Sequence, residues 1–172
     1  LFNRITRAEA FAADQLFATL DPLTRRVRLA PQGTGEGPGA FLAPEILLSD
    51  TVGFVRDLPH GLIAAFRATL EETADADLLL HVVDAGALER EEQMAAVDRV
   101  LAEIGAADVP QWLILNKIDR TGLEAGDRID PSGKITSFAV SALNGSGISD
   151  LRRALALWAS TFRDATRHPD AP

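Results

Sequence analysis

Short apolar runs, each closed by polar residues, set the rhythm of this chain. Ile46 to Ser49, Leu78 to Val83, Trp112 to Leu115 and Ser137 to Val140 have the length and composition of strands. Between them the apolar positions take helical spacing. Leu62, Phe66, Leu70 and Thr73 mark one face of a helix over 61–74, and Met94, Val97, Leu101 and Ile104 mark a second over about 90–104. Ile148, Leu151, Leu155, Trp158 and Phe162 mark a last helix, with Ser149 and Asp150 in its first turn. Leu1 to about Ala10 reads as the tail of a helix, Phe11 to Asp21 as a loop, and Arg25 to Leu29 as a further strand. The Gly-rich stretch 31–39 reads as a long hairpin connection, and residues 120–134 as polar and irregular. Strands alternating with helices predict an α/β fold, a mostly parallel sheet flanked by helices through right-handed crossovers. One domain is expected over 1–162, with 163–172 a frayed tail or linker stub.

The polar closures of these runs carry the chemistry, because an α/β sheet binds its ligand at the C-terminal ends of its strands. Gln111-Trp112-Leu113-Ile114-Leu115 runs into Asn116-Lys117-Ile118-Asp119. That order of side chains suits a guanine base. The Asp119 carboxylate can accept from N1–H and the exocyclic amine, a donor pair that adenine lacks. Lys117 can lay its aliphatic stem along the ring, and Asn116 can tie neighbouring loops together. Glu45 to Ser49 runs into Asp50-Thr51-Val52-Gly53, a D-x-x-G pattern. An Asp there can hold a Mg²⁺-bound water, and a Gly amide can reach a γ-phosphate with no Cβ in the way. The strand from Ile135 to Val140 runs into Ser141-Ala142-Leu143, whose backbone N–H groups can bond the guanine carbonyl. Each motif is weak alone, but three strand-end motifs in this order form a strong joint signal for a G domain.

Longer strings narrow the likeness. Asp14-Gln15-Leu16-Phe17-Ala18-Thr19-Leu20-Asp21-Pro22, Asp50 through His60, Phe66 through Thr73 and the run Asp77 to Asp84 together resemble the GTPase domain of the HflX family of ribosome-associated GTPases. The resemblance runs from Leu1 to about Phe162. It implies a P-loop NTPase-like G domain that binds GTP or GDP with Mg²⁺, hydrolyses GTP, and associates with the large ribosomal subunit, which it splits from its partner under stress. A monomer in the cytoplasm is expected. Thr19 and Gly53 are the expected catalytic residues, and Thr19 and Asp50 the expected Mg²⁺ ligands. The expected nucleotide contacts are Asp50, Thr51, Val52, Gly53, Asn116, Lys117, Asp119, Ser141, Ala142 and Leu143. Phe54 stands where many GTPases carry a water-positioning Gln, so intrinsic hydrolysis is expected to be slow. Asp57 and His60 are nearby polar candidates; the simpler readings are a mobile switch residue and a turn residue.

One departure weighs as much as the match. No G-x-x-x-x-G-K-[ST] sequence, whose amides and Lys would cradle phosphates, occurs in the 172 residues. Leu1-Phe2-Asn3-Arg4 resembles the helix that follows such a loop, so the first strand and P-loop of the fold are expected to be missing. In the family's fold that strand lies between the strand ending at Asp50 and the one over 77–84. An alternative function follows: a non-catalytic piece that keeps a base pocket but serves only as a protein-interaction module.

Composition adds limits. A formal charge of −8 argues against RNA binding by bulk electrostatics. Arg25, Arg26 and Arg28 form one basic cluster, most simply a solvated strand edge. The absence of Cys excludes disulfides and thiolate chemistry. No apolar run approaches the roughly 20 residues that span a bilayer. His81, within an apolar strand, reads as a satisfied core residue. Asp84 ends that strand at the ligand-facing edge, where a structural turn role is the simpler reading.

Overall fold

The closures after Val83, Leu115 and Val140 lie at the C-terminal ends of three neighbouring parallel strands, while Asp50 ends a strand of a separate antiparallel pair. The computed structural model describes residues 1–7, 23–29, 43–50 and 73–167, the last five of these by backbone alone. In chain order they form α1 (Phe2–Thr6), β1 (Leu23–Arg28), β2 (Glu45–Asp50), β3 (Leu79–Asp84), α2 (Arg90–Glu103), β4 (Gln111–Asn116), a 3-10 turn (Ile118–Arg120), β5 (Gly126–Ile129), β6 (Ile135–Ala139) and α3 (Ile148–Arg167). The expected connections over 11–21 and 31–39 and the helix over 61–72 lie outside the described residues. Thr73 and Ala74 are helical and Thr73 is buried.

The strands form two sheets. β1 and β2 pair antiparallel, while the other four take the order β3-β4-β6-β5. β3, β4 and β6 are parallel, with Val83 opposite Leu115 and Leu115 opposite Ala139. Among the described residues no hydrogen-bonded pairing joins β2 to β3.

Two corrections concern the second half of the chain. Residues 120–134 are not irregular throughout. Gly126–Ile129 pairs antiparallel with β6, and Asp130 closes the hairpin by accepting the Ser132 and Lys134 N–H groups at 2.8 and 3.0 Å. The last helix also continues to Arg167, into the stretch expected to fray.

One apolar cluster holds both sheets. Val27 and Leu29 from the β1 side pack with Trp112 and Ile114 of β4, Phe138 and Val140 at β6, Ile5 of α1, and Leu151 and Leu155 of α3. The Trp112 and Phe138 rings meet tilted at 48°, with centroids 5.3 Å apart. Arg152 of α3 adds a polar strap, donating to the Ile5 and Arg28 carbonyls. A second cluster of Val83, Ala85, Leu115, Ile118 and Ala139 lies under the strand ends and supports the loops described next.

Candidate functional site

Parallel pairing of β4 with β6 brings together two polar strings more than twenty residues apart. The Val140 N–H donates to the Leu115 carbonyl at 2.9 Å and the Ile118 N–H to the Val140 carbonyl at 3.3 Å, so the ladder continues past the strands. The 3-10 turn hangs on buried Ile118 and is closed by Thr121, whose hydroxyl donates to the Ile118 carbonyl at 3.1 Å.

Side chains then lock the strings to each other. Asn116 Oδ1 accepts the Ala142 N–H at 3.0 Å. The hydroxyl of Ser141, fully buried, donates to Asp119 Oδ1 and accepts the Asn144 N–H at 3.3 Å. Asp119 itself is exposed, and as a carboxylate it keeps acceptor capacity pointing outward. Its orientation is fixed from behind while its front stays open to a pair of donors. A buried group that satisfies one carboxylate oxygen lowers the cost of ordering the other for a ligand.

The amides of the S-A-L string differ from expectation. The Ser141 N–H donates to the Ser146 carbonyl at 2.9 Å, and that of Ala142 is taken by Asn116. Of the three, only the Leu143 N–H has no partner among the described residues. Among the described residues the string therefore offers one free amide to a carbonyl oxygen.

Lys117 is held in the left-handed region at φ 66°, a backbone conformation costing roughly 1–2 kcal/mol for a non-glycine residue. Its ammonium lies 3.0 Å from Asp84 Oδ2. Asp84 thus does more than shape a turn, although it does that too, accepting the Gly86 N–H at 3.0 Å.

Arg4 reaches the same loop, a contact not legible in the sequence. From α1 its Nε donates to the Ala142 carbonyl at 2.8 Å and its Nη2 to the Leu143 carbonyl. An arginine on a short helix matches no motif, and only the folded chain brings it to residues 138 positions away.

On the other sheet, Asp50 ends β2 near the start of α1. Burial raises its carboxyl pKa. Thr19, Thr51, Val52 and Gly53 lie outside the described residues, as do Phe54, Asp57 and His60. Among the described residues no group of three or more His, Asp or Glu side chains could hold a metal ion. His81 is half-buried. It is not among the buried residues, in contrast to the core position expected, and burial lowers its pKa against the opposing charge of Asp98.

Residues 1–117 match the family model for the 50S ribosome-binding GTPase. The chain belongs to this GTPase family. The match covers α1 through β4 and stops inside the Asn116–Asp119 turn; curated relatives carry the likeness further. GTPase HflX of Escherichia coli K12 is 48% identical over 156 residues, 90% of this chain. GTPase HflX of Magnetococcus marinus is 45% identical over 160 residues, also 90% of this chain. The chain spans about a third of these relatives, 34% of each. The resemblance to HflX GTPases is thus carried by the whole run of elements, not by the short motifs alone. Among solved structures, a GTP-binding protein of Sulfolobus solfataricus in complex with GDP superposes with a TM-score of 0.65. The superposition covers 94% of this chain and 48% of that one at 24% identity, and it shows the same G-domain fold.

Proposed function

We propose that this chain supplies the guanine-binding part of an HflX-like GTPase, a protein that hydrolyses GTP to GDP and phosphate and acts on the large ribosomal subunit. The observation that carries the proposal is the Asp119 carboxylate, exposed in front and held by the buried Ser141 hydroxyl behind, with Asn116 tying its loop to Ala142. This arrangement fits a base that presents two adjacent donors. The free Leu143 N–H on the same loop would meet the base carbonyl, and Lys117 would lie along the ring.

The phosphate side of the proposal rests on sequence. Asp50 would act through a Mg²⁺-bound water, Thr19 on the metal and γ-phosphate, and the amides of Thr51, Val52 and Gly53 on the phosphate. The fit of Mg²⁺ is supported by one described group only: the half-buried Asp50 carboxylate at the end of β2. Bound GTP and Mg²⁺ would supply the electrophile and its charge neutralisation; this chain's residues bind the base and orient it. Slow hydrolysis away from the ribosome is expected because Phe54 cannot position water. A monomer in the cytoplasm is part of the same proposal. No helix among the described residues is long and apolar enough to cross a membrane.

The test is base exchange. In the full-length protein containing this chain, Asp119→Asn is expected to shift preference from GDP to xanthosine diphosphate by a factor of 100 or more, as roughly 3 kcal/mol of lost and gained pairing requires. An unaltered preference would overturn the base assignment. A second reading keeps the base pocket without catalysis. In that reading the 172-residue chain alone is an interaction module. Calorimetry of this chain with GDP separates the two: micromolar binding supports the nucleotide site, and absent heat the module. Co-sedimentation of the full-length protein with large ribosomal subunits, with and without a non-hydrolysable GTP analogue, tests the partner.

A further inference from the structure

Asp84 sits directly opposite Asn116 in the β3–β4 ladder, one residue before the site's lysine. Its two carboxylate oxygens are divided. Oδ1 accepts the Gly86 N–H and shapes the turn after β3; Oδ2 meets the Lys117 ammonium at 3.0 Å. The Ala85 N–H donates to the Asn116 carbonyl at 2.8 Å, so the backbones carrying the two charges are themselves pinned together. Burial pushes the Asp84 carboxyl upward, but the bonds from Lys117 and Gly86, with the charge of Arg120 behind them, hold it below the usual carboxylate range.

As a stabiliser of the fold the pair is unimportant. Its side chains are 51% and 31% exposed, and ion pairs of that kind contribute little. Its geometry is another matter. Lysine has a long, freely rotating stem, and its order must be supplied when a ligand arrives. Asp84 supplies that order in advance, together with the left-handed backbone at Lys117.

We propose that Asp84 is a positioning residue for nucleotide binding: it holds the Lys117 side chain in place beside the base site before the nucleotide enters. The proposal rests on the guanine-site reading above. Immobilising one rotamer-rich side chain changes affinity by roughly 3- to 10-fold, and that sets the size of the expected effect. Asp84 acts only through Lys117, so its loss should leave the choice of base untouched.

Asp84→Asn separates the two roles of this carboxylate, because Asn keeps an Oδ1 acceptor for Gly86 and loses the charge that holds Lys117. GDP affinity and dissociation rate would be measured by stopped-flow fluorescence in the full-length protein containing this chain, alongside Lys117→Met, the double variant and Asp84→Glu. The proposal expects Asp84→Asn to weaken GDP binding about 3- to 10-fold, chiefly through faster dissociation, with guanine-over-xanthine preference unchanged. It expects the double variant to bind no more weakly than Lys117→Met alone, and Asp84→Glu to recover part of the loss. Wild-type binding by Asp84→Asn would leave Asp84 a turn residue and overturn the proposal. Additive losses in the double variant would also overturn it, since they put Asp84 on a path that bypasses Lys117. Asp119→Asn serves as the separate control. If it fails to swap base preference, the guanine site itself falls; if it swaps while the Asp84–Lys117 cycle is additive, only the positioning role falls.

Discussion

Gly147 opens α3 at the end of the site loop, and the space around it makes a sharp prediction. Its φ is +73°, and an added Cβ would lie 2.4 Å from the Ala139 carbonyl oxygen, 3.2 Å from Val140 Cγ1 and 3.3 Å from Val140 Cα. Two of these neighbours are backbone of β6 and its extension, which cannot swing away. Gly145, two residues earlier, shares the positive φ at +91°, but its nearest neighbour is the flexible Arg4 guanidinium at 3.9 Å. The pair therefore separates two costs. Alanine at either site pays the left-handed backbone penalty, about 1–2 kcal/mol, reduced by roughly 0.4–1 kcal/mol from the stiffer unfolded chain. Gly145→Ala should cost about 1 kcal/mol on that arithmetic. Gly147→Ala adds a contact that forces β6 to move, and overpacking of this kind costs about 1–3 kcal/mol more.

The assay is urea unfolding of the 172-residue chain followed by Trp112 fluorescence in a Trp158→Phe background. Trp112 is buried against Phe138, one residue before the crowded Ala139, so it reports on the strand that must give way. Gly147→Ala should lower the midpoint well beyond Gly145→Ala. Equal shifts would refute the reasoning, because they would show that backbone conformation alone matters and that β6 accommodates the methyl freely.

The remaining predictions concern pH and the Arg4 contact. Burial lowers the His81 pKa in the folded chain, so below about 6.5 the unfolded state binds more protons and stability falls with pH from there toward the folded value. His81→Gln should flatten that part of a urea-midpoint profile, and a profile identical to wild type would count against it. Arg4→Ala should speed hydrogen exchange over residues 141–145 while changing global stability by about 1 kcal/mol or less; unchanged exchange in that loop would show that Arg4 does not hold it.

The sequence was most legible where side-chain burial decides conformation. β4 carries the apolar run Trp112 to Leu115, three of whose residues are buried, and its strand assignment followed from composition. α3 repeats its apolar residues at helical spacing, with Ile148, Leu151 and Leu155 all buried. β5 was missed because Gly126-Asp127-Arg128-Ile129 has neither alternation nor apolar bulk; three of its residues are exposed and pairing with β6 alone makes it a strand. A signal was present in Asp130-Pro131-Ser132-Gly133, a turn string between two short segments, which hairpin chemistry would have read. The strings at Asn116–Asp119 and Ser141–Leu143 were legible as strand-end loops because each closes an apolar run, and the structure joins them through Asn116, Asp119 and Ser141. Arg4 and the Lys117 partnership of Asp84 were not legible, because both depend on which chain ends the sheet order brings together. Likewise, the expectation that backbone N–H groups of the S-A-L string can bond a carbonyl did not foresee that Asn116 and Ser146 take up two of them.

The division into two sheets has a consequence for how the proposed nucleotide site is held together. The base half, from Asn116 to Leu143, stands entirely on the parallel sheet, while Asp50 stands on the antiparallel ribbon of β1 and β2. No backbone pairing among the described residues fixes one half against the other. What does so is side-chain packing: Ile46 and Leu48 of β2 against the cluster around Trp112 and Phe138, and α1, whose Ile5 is in that cluster while its Arg4 grips the base loop. Packing contacts are short-ranged and yield by fractions of an ångström, whereas a ladder of backbone hydrogen bonds holds register. The base half is thus the rigid part, built on parallel ladders and a buried serine. The distance from it to Asp50 is set by α1 and the core between them, so substitutions at Ile5 or Leu48 should disturb the phosphate side of the site before they disturb recognition of the base.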